Sequence, residues 1–224
     1  METFLEAVRL LFGADNELRQ IIWVTLQLSL TSTMIASVIG ISLGLFLGTG
    51  RSVLRKCLLR ITHTLMGLPP VVAGLVVFML LSRKGPFGSW QLLFSMPAMV
   101  IAQVILITPI VSGLTASAVS ARAELLFETT RGLGLPHWKE RLLLLFELRR
   151  QLVSVLLMGF GRAISEVGAV QLVGGNIQHK TRVMTTAIML ETNKGNFELA
   201  VALGGVLLLI ALCVSIFAQH FGED

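Results

Sequence analysis

The 224-residue chain is predicted to be an all-α polytopic membrane protein of about five transmembrane helices, with a charged helical segment between the third and the fourth. Three observations predict this. Hydrophobic residues make up 54% and charged residues 14%, with a mean hydropathy of +0.81; soluble domains carry about a quarter charged residues. Residues 20–50, 61–82, 85–121 and 199–222 contain no Asp, Glu, Lys or Arg, and roughly 20 helical residues cross the hydrocarbon core. A fifth run, 151–178, is broken only by Arg162 and Glu166. The expected spans lie near 21–48, 65–82, 94–118, 152–173 and 199–219, in one membrane domain covering 1–224, which leaves little chain for a soluble catalytic domain.

Glu2, Glu6 and Asp15 precede the first span. A cleavable signal starts with basic residues, so the first span is expected to be retained. It carries Gly40, Gly44 and Gly48 on one face, where a neighbouring backbone can approach closely, either within the subunit or across a dimer. The second span opens with Gly67-Leu68-Pro69-Pro70-Val71-Val72-Ala73-Gly74. Two prolines there predict a broken or late-starting helix, and irregular backbone at membrane depth is tolerated only beside protein or a water-filled cavity. In the third span, Pro97 predicts a start, and Pro109 next to Thr108 a kink. Pro69, Pro70, Thr108 and Pro109 are therefore candidates for lining a route through the membrane, and Thr185 and Thr186 are candidates for the same route.

Charged segment 121–150 follows, with helical spacing and a Gly-x-Gly-x-Pro break at Gly132, Gly134 and Pro136. It reads as one helix from 121 to 133, a turn, and a second helix opening at His137. Placing it with the 51–60 loop gathers ten Lys and Arg on one side of the membrane against seven on the other. The positive-inside rule puts that side in the cytoplasm, with the N-terminus outside and the C-terminus inside.

In the fourth span Arg162 and Glu166 are one helical turn apart and share a face. Charge at this depth must face protein or water, so an intramembrane ion pair is expected. The alternatives are a contact with the charged segment or a cation beside an anion route. The loop 174–182 is expected to be polar and external. Its glycines, Lys180 and Arg182, with Thr185 and Thr186 beyond, suit either an ordinary solvated loop or a first contact for an oxyanion. Asn193-Lys194-Gly195-Asn196 predicts a turn before the last span.

The net charge of +5 is explained by cations at helix ends rather than by nucleic acid. Cys57 and Cys213 have neither disulfide-framework nor zinc-site spacing. His63, His137, His179 and His220 are scattered, and no P-loop or GxSxG occurs. Neither a catalytic set nor a metal site is expected, and no cofactor bound by this chain.

Glu128-Thr129-Thr130-Arg131-Gly132-Leu133-Gly134, followed by Leu144-Leu145-Phe146, resembles the signature loop of permease subunits of binding-protein-dependent ABC importers. Glu128 and Gly134 fall on that loop's glutamate and glycine. Thr129 and Thr130 replace its usual alanines, and Glu147 stands where it closes on proline. The segment from Leu68 to Gly74 looks like molybdate and sulfate permeases. Gly161 to Ala169, Val173 to Ile177, Thr181 to Ile188, Glu191-Thr192 and Lys194 to Phe197 look most like tungstate permeases. The resemblance implies an oxyanion permease in which 121–150 forms a cytoplasmic coupling helix, with Glu128, Thr129, Thr130, Gly132, Gly134 and Pro136 seating it on an ATPase. It also implies a second copy of the chain, two ATP-binding subunits that carry ATP and magnesium, and an external substrate-binding protein. From a different class, a channel-like or scaffolding membrane protein without an ATPase stands as the alternative.

Overall fold

A computed structural model describes residues 16–50 and 52–222. Glu2, Glu6, Arg9, Asp15 and Arg51, which entered the signal and orientation arguments, lie outside them. The described residues form nine α-helices: α1 (Asn16–Gly48), α2 (Val53–Met66), α3 (Pro70–Leu81), α4 (Met96–Gly132), α5 (His137–Glu147), α6 (Arg149–Ile164), α7 (Gly168–Gly174), α8 (Met184–Lys194) and α9 (Phe197–Gly222). Helices α1, α4 and α9 are each long and apolar enough to cross a membrane. Taking the bent pairs α2 with α3 and α6 with α7 as one span each gives five.

The α1–α4 packing organises the rest, and the three glycines make it possible. A Cβ at Gly40 would lie 2.8 Å from Val111 Cβ, one at Gly44 2.5 Å from Thr115 Cβ, and one at Gly48 2.7 Å from Ala116 O. This glycine face is therefore used within the subunit. Partner numbers rise together along the two helices, so α1 and α4 run parallel, and segments 52–60 and 121–150 leave the bundle at the same end. Helix α9 starts beside the beginning of α1, where Ala202 and Leu203 pack with Leu18 and Ile21. It finishes where Ser154 Oγ donates to Ala218 O, 2.9 Å. Residues 16 and 222, the outer limits of the first and last helices, thus lie at opposite ends of the bundle.

Each bent pair packs along α4 in two pieces. Met66 reaches Gly113 of α4, and α3 then continues, with Val77 and Leu81 in a cluster with Ala98, Met99 and Ala102. The α2–α3 break bends by 102° at Pro69, whose extended backbone (φ −62°, ψ 126°) caps α3 with Pro70 at its first position. A proline there removes no helical hydrogen bond, because the first amides of a helix have no partner within it. Helix α6 packs on α4, with Gly159 against Ile107 and Val111, and bends by 57° into α7.

Three expectations change. Segment 51–60 is not a simple loop, because most of it lies in α2. The helix expected at 121–133 is not separate: α4 runs 37 residues through Pro109 to Gly132, about 55 Å at ~1.5 Å per residue. The second span is broken at Pro69–Pro70 as its prolines predict, which leaves α3 with only 12 residues. The polar region after Lys180 holds a further helix, α8, which ends at Gly195 in the left-handed conformation (φ +81°); the expected turn is this cap.

Candidate functional site: a helical surface at the charged end and two broken spans

At the charged end, α4 stops in a Schellman-type turn. Leu133 N donates to Thr129 O (3.2 Å) and Leu135 N to Thr130 O (3.1 Å), while Gly134 takes φ +69°. A residue with a Cβ is strained at that angle, so glycine is the residue this cap calls for. Nothing lies within 4 Å of a Cβ built at Gly132 or Gly134, so the turn is open to solvent. Thr129 Oγ1 donates to Leu125 O (2.9 Å) and Thr130 Oγ1 to Phe127 O (3.2 Å). Both replacements for alanine keep their hydroxyls on their own helix. Glu128 is exposed, and Pro136 is the extended N-cap of α5.

Helix α5 has two unlike faces. Leu144 and Leu148 are buried in a cluster with Val119, Ala123 and Leu152, and the buried Glu140 accepts from or pairs with His137 Nδ1 at 3.0 Å. On the opposite face Trp138, Leu142 and Phe146 are 64%, 61% and 65% exposed, at four-residue spacing. Arg149 lies 4.1 Å from the Phe146 ring centroid. The helix breaks at Leu148 without a proline. Glu147, at the position of the missing proline, accepts from Arg122 Nη1 at 2.9 Å and ties the end of α5 to α4.

The two broken spans meet each other. A Cβ at Gly74 of α3 would sit 2.6 Å from Ala169 Cα, and one at Gly168 would sit 2.8 Å from Val71 Cγ2. The expected ion pair lies at this crossing. Arg162 Nη1 is 3.0 Å from Glu166 Oε2, with the side chains 35% and 3% exposed. The other oxygen, Oε1, accepts from Ala169 N at 3.1 Å, so one carboxylate neutralises Arg162 and caps the first turn of α7. Glu166 O accepts from Thr185 Oγ1 at 2.8 Å. Pro69 is exposed at the neighbouring break, and Pro70 and Pro109 are half-buried. Thr108 Oγ1 is shielded and without a hydrogen-bond partner.

Thr185 and Thr186 do not face open space. Both are buried, and Thr186 Oγ1 donates to Asn176 Oδ1 (3.0 Å) and Val183 O (3.1 Å). Arg182 is likewise engaged: its Nη1 donates to Glu17 Oε1 at 3.0 Å, and the same oxygen accepts from Gln178 Nε2 at 3.0 Å. Gln20 Nε2 donates to His179 O at 3.0 Å. These contacts clamp loop 174–182 to the start of α1, leaving Lys180 as its exposed cation.

Two polar anchors were not anticipated from sequence. Gln103, 1% exposed, accepts from Ser32 Oγ (2.5 Å) and donates to Ala163 O (2.9 Å), joining α1, α4 and α6. It is the one amide within the apolar run of α4, and that isolation was the available signal. Glu191, 6% exposed, accepts from Lys194 Nζ (2.8 Å) and Asn196 Nδ2 (3.1 Å). The Lys194 hydrogen bond holds its carboxyl below the usual value against the opposing effect of burial. No group of three or more potential metal ligands occurs among the described residues.

Broken spans crossing inside a bundle, with a helix laid outside it at the charged end, define a membrane transport domain. The described helices superpose on those of a bacterial ABC transporter for import of the acidic polysaccharide alginate, with a TM-score of 0.77, 19% identity, and coverage of 97% of this chain and 82% of that one. At that identity the likeness is one of fold. Residues 40–223 match the family described as binding-protein-dependent transport system inner membrane component, and the chain belongs to that family. The tungstate uptake system permease protein TupB of Peptoclostridium acidaminophilum is 39% identical over 223 residues, 100% of this chain and 98% of the relative. The TupB of Campylobacter jejuni is 39% identical over 217 residues, covering 97% and 90%. The molybdenum transport system permease protein ModB of Azotobacter vinelandii is 26% identical over 204 residues, covering 88% and 90%.

Proposed function

We propose that this chain is the membrane permease of an ATP-driven importer of tungstate, assembled as two copies with two ATP-binding subunits and an external substrate-binding protein. ATP and magnesium belong to the ATP-binding subunits, and this chain supplies the route. The observation that carries the reading is α5. One face is packed on α4 and the other presents Trp138, Leu142 and Phe146 beside the open Gly134 turn. An exposed aromatic face on a pinned helix suits a groove in a soluble partner. Full-length similarity to two TupB proteins supports tungstate over molybdate and sulfate.

In this reading the charged end is cytoplasmic, the N-terminus lies outside and the C-terminus inside. Closure of the ATP-binding subunits moves α5, and α4 and α6 move with it. The route opens alternately to the two sides, a two-state rocking of packed helices. The breaks at Pro69–Pro70 and at Glu166 lie where such motion is most easily absorbed.

The test is uptake into proteoliposomes containing the permease, its ATPase and its binding protein. ATP-dependent accumulation of tungstate, outcompeting molybdate and sulfate, is expected. Preference for either other anion would overturn the substrate, and flux without ATP would favour the channel-like alternative. Trp138→Ala with Phe146→Ala is expected to abolish co-purification of the ATPase while the permease stays in the membrane.

A further inference from the structure

We propose that the charged end carries a binding site for the head group of an anionic glycerophospholipid, formed by Arg55 of α2 and Arg141 of α5. Both line a cavity of about 270 Å³, together with Ser42 and Phe46 of α1, Thr49 just past its end, and the buried Leu144 of α5. The proposal requires only that the chain is a membrane protein and is independent of the transported substrate.

The two guanidinium groups are available. Among the described residues neither arginine has an acidic partner, while Arg122 is paired with Glu147 and His137 with Glu140. The Ser42 and Thr49 hydroxyls donate to the carbonyls of Val38 and Leu45 on their own helix, so the arginines are the donors that face an incoming anion. Arg55 is also positioned: its guanidinium lies 4.2 Å from the centre of the Phe46 ring. Cation–π contact of this kind holds the charge against the apolar wall. The acidic side chains Glu124 and Glu128 line a separate cavity that also touches Arg55 and Thr49.

The surroundings select a lipid over a free anion. The cavity lies at the end of the charge-free run 20–50, the depth at which hydrocarbon gives way to head groups. Along α1 the approach is apolar and exposed, with Met34 69%, Val38 71% and Phe46 49% exposed. Acyl chains fit that surface while the phosphodiester meets two cations. Basic pockets between helices at this level recognise anionic head groups, and each basic residue contributes about fivefold in affinity. A soluble oxyanion would gain nothing from Phe46 and Leu144.

The test is native mass spectrometry of the purified full-length chain with phosphatidylglycerol or phosphatidylcholine of the same acyl chains. Wild type is expected to retain phosphatidylglycerol in preference. Arg55→Gln and Arg141→Gln should each lower that retention about fivefold, whereas Lys56→Gln with Arg60→Gln, on exposed side chains outside the cavity, should leave it unchanged. Equal retention of the two lipids by wild type would overturn the proposal whether or not the variants fold. So would undiminished preference in both arginine variants, or an equal loss in the Lys56 and Arg60 variant. Displacement of the lipid by millimolar inorganic phosphate would assign the site to a free anion instead.

Discussion

Removing Arg162 is expected to harm this fold more than removing its partner's charge. Glu166 is 3% exposed, and without Arg162 its carboxylate keeps the 3.1 Å bond from Ala169 N and loses its counter-charge. Breaking a buried pair from one side costs about 3–5 kcal/mol. Arg162 is 35% exposed, so solvent screens the pair and about 2 kcal/mol is the expected loss for Arg162→Gln. In Glu166→Gln the amide oxygen still accepts from Ala169 N and Arg162 can turn to water, which leaves about 1 kcal/mol. Thermal unfolding in detergent should show midpoints lowered by roughly 4–8 °C and 2–4 °C respectively. The double variant has no unpaired charge and should recover most of the Arg162→Gln loss. Strictly additive losses, or Glu166→Gln as the worse single change, would refute the reasoning.

At Gly134, where φ is +69° and no atom crowds a Cβ, the order of ATP-driven uptake should be glycine, then asparagine, then alanine. Asparagine tolerates the left-handed region and alanine loses about 1–2 kcal/mol there; equal activity of Gly134→Asn and Gly134→Ala would remove the conformational explanation. Gly44→Ala should lower stability by about 1–3 kcal/mol through overpacking on Thr115 and Ser112. Gly205→Ala, with nothing within 4 Å of its Cβ, should be neutral or slightly stabilising, and equal melting points for the two would contradict the packing account. The Glu191 carboxyl is held below its usual value in the fold, so its contribution is present above the unfolded value and is lost as pH falls through the folded one. Glu191→Gln should therefore flatten the acid limb of a stability-against-pH curve, and an unchanged limb would count against it.

The spans, the breaks and the ion pair were legible because each has a local cause. Charge-free runs of sufficient length, adjacent prolines and an i,i+4 Arg–Glu pair act within a few residues. The continuity of α4 past Ala121 was hidden because charged residues enter a helix without ending it. Its stop comes only at Gly134, where a positive φ is required. Thr185 and Thr186 look like lining residues by composition, but their hydroxyls are taken by Glu166 O and Asn176 Oδ1. Those partners lie in other segments, and no spacing rule reaches them. Arg182 is the same case, since Glu17 is far away in sequence. The departure at Glu147 is explained only in three dimensions. The break at Leu148 forms without proline, and the carboxylate at 147 gains a contact with Arg122 that proline cannot make.

On the proposed reading, the way α5 is attached decides what its movement can do. It leaves α4 through the single turn at Gly134 and passes into α6 through the single residue Leu148, which is 0% exposed and packed with Val119 and Ala123. A displacement of α5 therefore acts on two rods together. Helix α4 is continuous for 37 residues and carries the shift along the glycine face of α1. Helix α6 carries it only to Ser165, where the chain bends by 57° and Glu166 holds Arg162, the start of α7 and Thr185. When a continuous rod shifts against a jointed one, the joint is where the difference between them is taken up. The joint adjoins the Pro69–Pro70 break through the Val71–Gly168 contact, so both broken spans respond to one push from the charged end.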